Sequence, residues 1–149
     1  MTAVHDSFTI TRRLAHPPAR VFAAWSSADA KARWFFGPPG WTERERSLDF
    51  RVGGREKAVG GWDGGVTTDF DATYHDIVPD RRIVYSYGMH LDGKRISVSL
   101  ATVEFERDGA GTLLRVTEQG TFLDGYDDAG SRERGTAGLI EQLAASLDA

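Results

Sequence analysis

The final segment of the chain restricts the possible folds more than any other part. From about Asp128 to Leu147, side chains recur at helical spacing, and one side of the predicted helix carries Thr136, Leu139, Ile140, Leu143 and Leu147. A helix with so broad an apolar face has to bury that face against another element. The rest of the chain must therefore supply a surface on which this helix can lie.

That surface is a predicted antiparallel sheet. Between Glu43 and Gly120, strand-like runs are separated by turn residues at Gly53-Gly54, Gly60 to Gly65, Pro79-Asp80, Asp92-Gly93 and Asp108 to Gly111. Connections this short favour antiparallel pairing, because a parallel crossover needs about a dozen residues or more. We therefore expect a meander of about six strands covered by the last helix.

The N-terminal part adds one strand and two short helices. Phe8 to Arg12 alternates apolar and polar side chains, and Pro17-Pro18 ends that strand. A first helix is predicted from Val21, Phe22 and Trp25, and a second one follows Ser26-Ser27, with Ala30, Trp34 and Phe35 as its apolar face. The order is that of an α+β fold, and we expect a single domain over residues 1–149.

Composition excludes several classes of function. The chain of 149 residues is 40% hydrophobic and 27% charged, as expected of a globular protein, and it has no cysteine. Its net charge of -4 predicts no affinity for nucleic acid or for anionic membranes. No apolar run reaches the length of a membrane span, and Met1 to Asp6 lacks the features of a signal peptide. These features predict a cytoplasmic protein.

No motif for a metal or a nucleotide cofactor is found. The four histidines, His5, His16, His75 and His90, form no HExxH pattern, and the sequence has neither a P-loop nor a GxGxxG motif. We therefore expect no metal and no cofactor.

Two strands carry more specific information. In the run from Ile96 to Phe105 the apolar positions change phase, which predicts a β-bulge near Ala101 or Thr102. In the next strand, Leu114 and Val116 share a phase that also turns Glu118 inward. A carboxylate in an apolar interior is unfavourable unless it is paired, neutral or used. Glu118 is therefore either a ligand-binding or catalytic group, or it lies at the open end, where it is solvated or paired with an arginine such as Arg115 or Arg51.

The aromatic residues fall into two groups by position. Phe22, Trp25 and Phe105 fit a role in the core, whereas Trp34, Phe35, Trp62 and Tyr126 lie beside predicted loops. Residues beside loops are better placed to line the mouth of a cavity.

Several local strings, taken in order, resemble one known family. They are Pro17 to Trp25, Arg33-Trp34-Phe35, Asp49 to Gly54, Tyr74 to Tyr85 and, more weakly, Gly111 to Leu114. Together they resemble the Hsp90-ATPase-activator-like branch of the START-related helix-grip superfamily. The resemblance implies a curved antiparallel sheet wrapped around a long C-terminal helix, with an apolar cavity between them. One departure is Leu139 after Gly138, where the family often has Gly-Trp, so the cavity shape is expected to differ.

The resemblance implies three alternative functions. The leading hypothesis is binding of a small, largely apolar molecule by a monomer or homodimer. The others are docking on an Hsp90-type ATPase and a polyketide cyclase-like or hydratase-type reaction in the same cavity, for which no catalytic residue is assigned. The candidate cavity residues are Trp34, Phe35, Trp62, Tyr74, His75, Tyr85, Tyr87, Glu118, Tyr126, Leu139 and Leu143.

Overall fold

The fold is one sheet with a long helix on its inner face, and a computed structural model describes it over residues 2–149. The strands are β1 (Ala3–Leu14), β2 (Thr42–Leu48), β3 (Arg55–Gly61), β4 (Thr67–Val78), β5 (Arg82–Leu91), β6 (Lys94–Asp108) and β7 (Gly111–Leu123). The helices are α1 (Pro18–Ala23), α2 (Ala28–Ala32) and α3 (Ala129–Asp148). All strand pairs are antiparallel, in the order β1-β7-β6-β5-β4-β3-β2. This confirms the predicted helix-grip fold.

Local chemistry explains where the elements begin and turn. Pro18 occupies the first turn of α1, Ser27 Oγ accepts a hydrogen bond from Ala30 N at the start of α2, and Asp128 does the same for Ser131 N in α3. The hairpin between β5 and β6 has Asp92 at φ 50° and Gly93 at φ 79°. Two consecutive positive φ angles form the tight turn that suits the twist of an antiparallel pair.

The core lies between the inner face of the sheet and the helices. Ile140, Leu143, Ala144 and Leu147 of α3 are buried, and Leu143 has no exposed surface. Beyond them a layer of aromatic rings covers the sheet, with Trp25 and Trp34 centred 4.6 Å apart in an edge-to-face arrangement. None of the helices over residues 2–149 is long and apolar enough to cross a membrane.

The bulge predicted near Ala101 or Thr102 is wrong. At these two residues β6 pairs with β7 without a register shift. In the pairing of β6 with β5, the register shift lies between Met89 and His90 of β5. The inner face of β6 carries Ser97, Ser99, Ala101, Val103 and Phe105. Its apolar Val98 and Leu100 lie on the outer face, 44% and 39% exposed. Small inner side chains leave room for polar side chains of α3, which the apolar pattern alone did not indicate.

We predict that Leu143→Ala destabilises the protein by about 2 to 5 kcal/mol, because it removes buried methyl groups and leaves a cavity. The matched change Leu100→Ala, on the outer face, should cost about 1 kcal/mol or less. Urea denaturation of both variants measures the difference. Equal costs would show that the two leucines do not lie on opposite faces as described.

Candidate functional site

A cavity of about 500 Å³ opens between α3, the inner face of the sheet and the segment 34–41 that follows α2. A volume of this size is typical of small-molecule sites. Its wall is mainly aromatic and aliphatic, with a small polar region where the N-terminal half of α3 faces β5 and β7. The apolar wall includes Trp25, Trp34, Phe35, Trp41, Ala58, Trp62, Phe70, Tyr85, Met89, Val116, Leu139 and Ile140.

Seven of the eleven candidate residues line this cavity. They come from segments far apart in the sequence, which the meander and the last helix bring to one place. They are Trp34, Phe35, Trp62, Tyr85, Tyr87, Glu118 and Leu139.

Two candidates lie outside it, which corrects their assignment. His75 is exposed on β4, and its Nε2 lies 2.7 Å from Ser86 Oγ. Ser86 stands between the inward-facing Tyr85 and Tyr87 of β5, so this contact lies on the outer face of the sheet. Tyr126 is 49% exposed in the loop before α3, with the Lys94 ammonium 5.7 Å from its ring centre. Position beside a loop was therefore not sufficient to place a residue at the mouth.

Two further candidates are buried behind the wall instead of forming it. Leu143 belongs to the core under α3, and Tyr74 is 1% exposed beneath the rings of β4 and β5. The Tyr74 hydroxyl donates a hydrogen bond to Glu56 Oε1 at 2.6 Å. These two residues support the cavity and do not contact its interior.

Glu118 is the buried carboxyl group of the wall, with 4% exposure. Its Oε1 accepts a hydrogen bond from the Tyr87 hydroxyl, and its Oε2 accepts one from Thr136 Oγ1 at 3.1 Å. Glu118 forms no ion pair within residues 2–149. Arg115 instead pairs with Glu104, and Arg51 pairs with Asp49. The arginine partners considered from the sequence are therefore wrong.

Arg132 completes this polar region without contacting Glu118 directly. Its Nη1 donates to the Tyr87 hydroxyl at 3.0 Å, and its Nη2 donates to Ser97 Oγ at 2.8 Å and to Asp127 Oδ2 at 2.9 Å. Arg132 was not among the residues predicted from the sequence. A signal was present, since Arg132 stands one helical turn before Thr136 on the stripe that leads to Leu139 and Leu143.

The environment of Glu118 favours its neutral form. Burial raises the pKa of Glu118 above its ordinary value of 4.5, although the hydrogen bond from Tyr87, the charge of Arg132 and the hydrogen bond from Thr136 oppose the rise. Burial and the nearby carboxyl also raise the pKa of Tyr87, so its hydroxyl remains a donor. The cavity thus holds a carboxyl group whose protonation depends on how well water is excluded.

A second buried polar group, also missed from the sequence, lies behind the aromatic wall. Lys31 of α2 and Glu56 of β3 are each 1% exposed, and Lys31 Nζ donates to Glu56 Oε1 at 2.6 Å. The predicted apolar face of the second helix had omitted Lys31. Helical spacing places it on the side of Trp34 and Phe35, so the pattern did contain this information.

Aromatic rings surround the Lys31 ammonium. Its Nζ lies 4.6 Å from the ring centre of Phe35 and 5.7 Å from that of Tyr85, and both rings also line the cavity. Burial lowers the pKa of Lys31, while the charge of Glu56 opposes the shift. The ion pair joins α2 to the sheet, and it thereby fixes the wall residues that follow α2.

The mouth of the cavity depends on close packing around Trp41. A Cβ atom on Gly60 would lie 2.2 Å from the Trp41 ring, and one on Gly37 would lie 2.4 Å from it. Trp41 Nε1 donates to Thr68 Oγ1 at 2.8 Å, and Gln142 of α3 donates to the Trp34 carbonyl at 2.6 Å. Glycines therefore allow the indole to lie flat against the strand at the entrance.

No group of three histidine, aspartate or glutamate side chains within residues 2–149 is arranged to hold a metal ion.

Comparison with known proteins identifies the family. The model of the family described as activator of Hsp90 ATPase homolog 1-like protein matches residues 15–149, and the chain belongs to this family. No functionally curated protein matches it.

Solved structures agree with that assignment. An uncharacterized protein from Rhizobium leguminosarum is 44% identical, with a TM-score of 0.93 over 99% of this chain and 97% of its own. The Mll3558 protein from Rhizobium loti is 45% identical, with a TM-score of 0.91 over 98% and 99%. An AHSA1-like protein from Aeromonas hydrophila, 21% identical, shares the fold with a TM-score of 0.74 over 96% and 92%.

We predict that Lys31→Met lowers the free energy of unfolding by about 3 to 5 kcal/mol, because Glu56 would be left buried without its partner. Lys31→Met combined with Glu56→Gln should recover most of this loss, since the unpaired charge is then removed. Lys57→Met is the matched control, because the Lys57–Asp69 pair is about one-third exposed at 3.4 Å. Denaturant unfolding of the three variants tests this order, and a double variant no more stable than Lys31→Met would contradict it.

We also predict a pH-dependent difference between the wild type and Glu118→Gln. Folding raises the pKa of Glu118. The stabilising contribution of Glu118 is therefore complete at a pH below its unfolded-state pKa, and it is lost as the pH rises through its folded-state pKa. The glutamine variant should therefore gain stability relative to the wild type over the range in which pH rises above the ordinary carboxyl value of 4.5. Paired urea titrations across this range measure the gain. A constant difference would show that folding does not shift the pKa of Glu118, and a reversed difference would show that Glu118 is stabilised as an ion.

Proposed function

We propose that this protein binds a small, largely apolar molecule in the cavity between α3 and the sheet. The observation that carries the proposal is the combination of an aromatic and aliphatic wall with one water-excluded carboxyl group, Glu118, in a volume of about 500 Å³. Ligand sites commonly combine a mostly apolar surface with a few fixed polar groups that orient the ligand. The body of the ligand would contact the rings, and its polar end would lie near Glu118.

The charges around the cavity favour a neutral polar end. Glu118, Asp127 and Arg132 lie close together, and Arg132 is already bonded to Asp127, Tyr87 and Ser97. A ligand carboxylate beside Glu118 would face the carboxyl groups of Glu118 and Asp127, and the guanidinium next to them, Arg132, is already bonded. The exposed Arg134 also borders the cavity, but its hydrogen bond goes to Ser131 Oγ and none goes to Glu118. A hydroxyl, a carbonyl or an amide group can instead exchange hydrogen bonds with Glu118 in its neutral form.

Catalysis in the same cavity is a second candidate function. The raised pKa of a carboxyl group in a cavity is a feature of acid-base catalysts, and it favours this hypothesis for Glu118. His75 contacts Ser86 on the opposite face of the sheet, so a cyclase or hydratase reaction could not pair Glu118 with this histidine. Docking on an Hsp90-type ATPase is supported only by the family description.

The cavity assignment predicts that Leu139→Trp weakens ligand binding by at least about tenfold, because the larger side chain fills space that a ligand needs. Leu100→Trp on the outer face is the matched control and should bind as the wild type does. The probe is N-phenyl-1-naphthylamine, a neutral apolar fluorophore, titrated into each protein with circular dichroism as the check on folding. Equal affinity of the two folded variants would exclude this cavity as the binding site.

The same probe tests the role of Glu118 by its pH dependence. A ligand that displaces water raises the pKa of Glu118 further, so binding should take up a proton and weaken as pH rises through that pKa. Glu118→Gln imitates the neutral carboxyl group and should bind with little pH dependence. Parallel pH profiles for the wild type and the variant would remove Glu118 from the site.

A further inference from the structure

The two edges of the sheet differ in construction. Edge strand β2 has seven residues, a register shift between Glu43 and Glu45, and four successive charged residues from Glu43 to Arg46. Edge strand β1 has twelve residues, pairs with β7 without interruption and contains no proline. Charges and bulges protect an edge from pairing with another chain. By this criterion β2 is protected, whereas β1 offers a long, regular edge.

Alternation shows which groups of β1 face outward. Asp124 N donates to Thr2 O at 2.8 Å, so the even-numbered residues of this strand direct their backbone groups toward β7. Ser7, Thr9 and Thr11 therefore direct theirs away from the sheet. Within residues 2–149, two side-chain contacts meet this edge: Asp6 accepts from Ser7 N at 2.8 Å, and Arg12 donates to Arg13 O at 2.5 Å.

We propose that β1 of a second copy of this chain pairs with this edge in antiparallel orientation, about a two-fold axis through Thr9. The outward groups of Ser7 then bond to those of Thr11 in the partner, and Thr9 pairs with itself. On the inner face of the joined sheet, Phe8 lies opposite Ile10 and Asp6 lies opposite Arg12. Each of these pairs is of a kind that stabilises antiparallel strands.

The neighbouring registers match less well. An axis through Phe8 would place Asp6 opposite Ile10, and an axis through Ile10 would place Arg12 opposite Phe8. Only the axis through Thr9 matches opposite charges with each other, and it does so twice in a symmetric dimer. The two side chains that now contact the edge, Asp6 and Arg12, are the same two that would meet across it.

Forming this dimer requires little loss of existing structure. The present partner of Arg12 is Glu141, and the two side chains are 39% and 61% exposed. Exposed ion pairs contribute little, so Arg12 can turn toward the partner chain at small cost. The cavity lies elsewhere, which makes this interface independent of the proposed ligand.

Analytical ultracentrifugation of the whole protein tests the proposal. We expect a dimer in the wild type and an about tenfold weaker one for either Asp6→Arg or Arg12→Asp, because each places like charges in opposition. The double exchange Asp6→Arg with Arg12→Asp should restore dimerisation, since it recreates the pair in reverse. Glu45→Arg, the same change of charge on the other edge, is the matched control and should leave the dimer unchanged.

A second measurement keeps the test independent of how well the variants fold. Thr9→Pro removes a backbone N–H that points away from β7, together with one exposed hydroxyl contact to Thr117 at 3.2 Å. The monomer should therefore stay folded while the dimer is lost. Amide hydrogen exchange at Thr9 and Thr11 should be slow in the wild type at high concentration and fast on dilution. A wild-type protein that is monomeric at several hundred micromolar, or a dimer that survives both Thr9→Pro and the single charge changes, would overturn the proposal.

Discussion

The architecture depends on a mismatch of widths between one helix and one sheet. A helix with its side chains is about 10 Å across, and neighbouring strands are about 4.8 Å apart, so α3 can cover only two or three strands. The sheet has seven, and α3 packs toward the β1 side. The inner face of the other strands has to be covered by α1, α2, the segment 34–41 and large side chains. Covering it with rings leaves an apolar space beside α3.

Two buried polar groups lie at this space, and their geometry separates their roles. Lys31 and Glu56 contact each other at 2.6 Å behind the rings, so each charge has its counterion and the pair has no access to the cavity. Glu118 has hydroxyl partners only, from Tyr87 and Thr136, and the nearest guanidinium is bonded to Tyr87. A matched pair of charges fixes a structure, whereas a carboxyl group held by hydroxyls keeps the freedom to gain or lose a proton.

Most of the fold followed from periodicity, and part of the site did too. The phase of Leu114 and Val116 placed Glu118 inside, and the helical spacing from Thr136 to Leu147 defined the buried side of α3. The failures at β6, Lys31 and Arg132 share one cause, because only apolar residues were expected to face inward at these positions. Val98 and Leu100 face out while Ser97 and Ser99 face in, and Lys31 and Arg132 are charged residues on buried stripes. Charged side chains can follow an apolar period when the fold supplies their partners.

The sequence by itself determined the order of elements, the antiparallel pairing and the long covering helix, because periodicity and turn chemistry act over a few neighbouring residues. It also determined the family, since the matching strings are continuous in the chain. Only the tertiary structure decided that His75 lies outside the cavity, that Glu118 has Tyr87 and no arginine as its partner, and that Lys31 reaches Glu56. The contacts of these residues join positions that are 11 to 31 residues apart in the chain. Those of His75 and Glu118 lie on opposite faces of the same sheet. Their geometry depends on strand register and sheet curvature, which no local pattern contains.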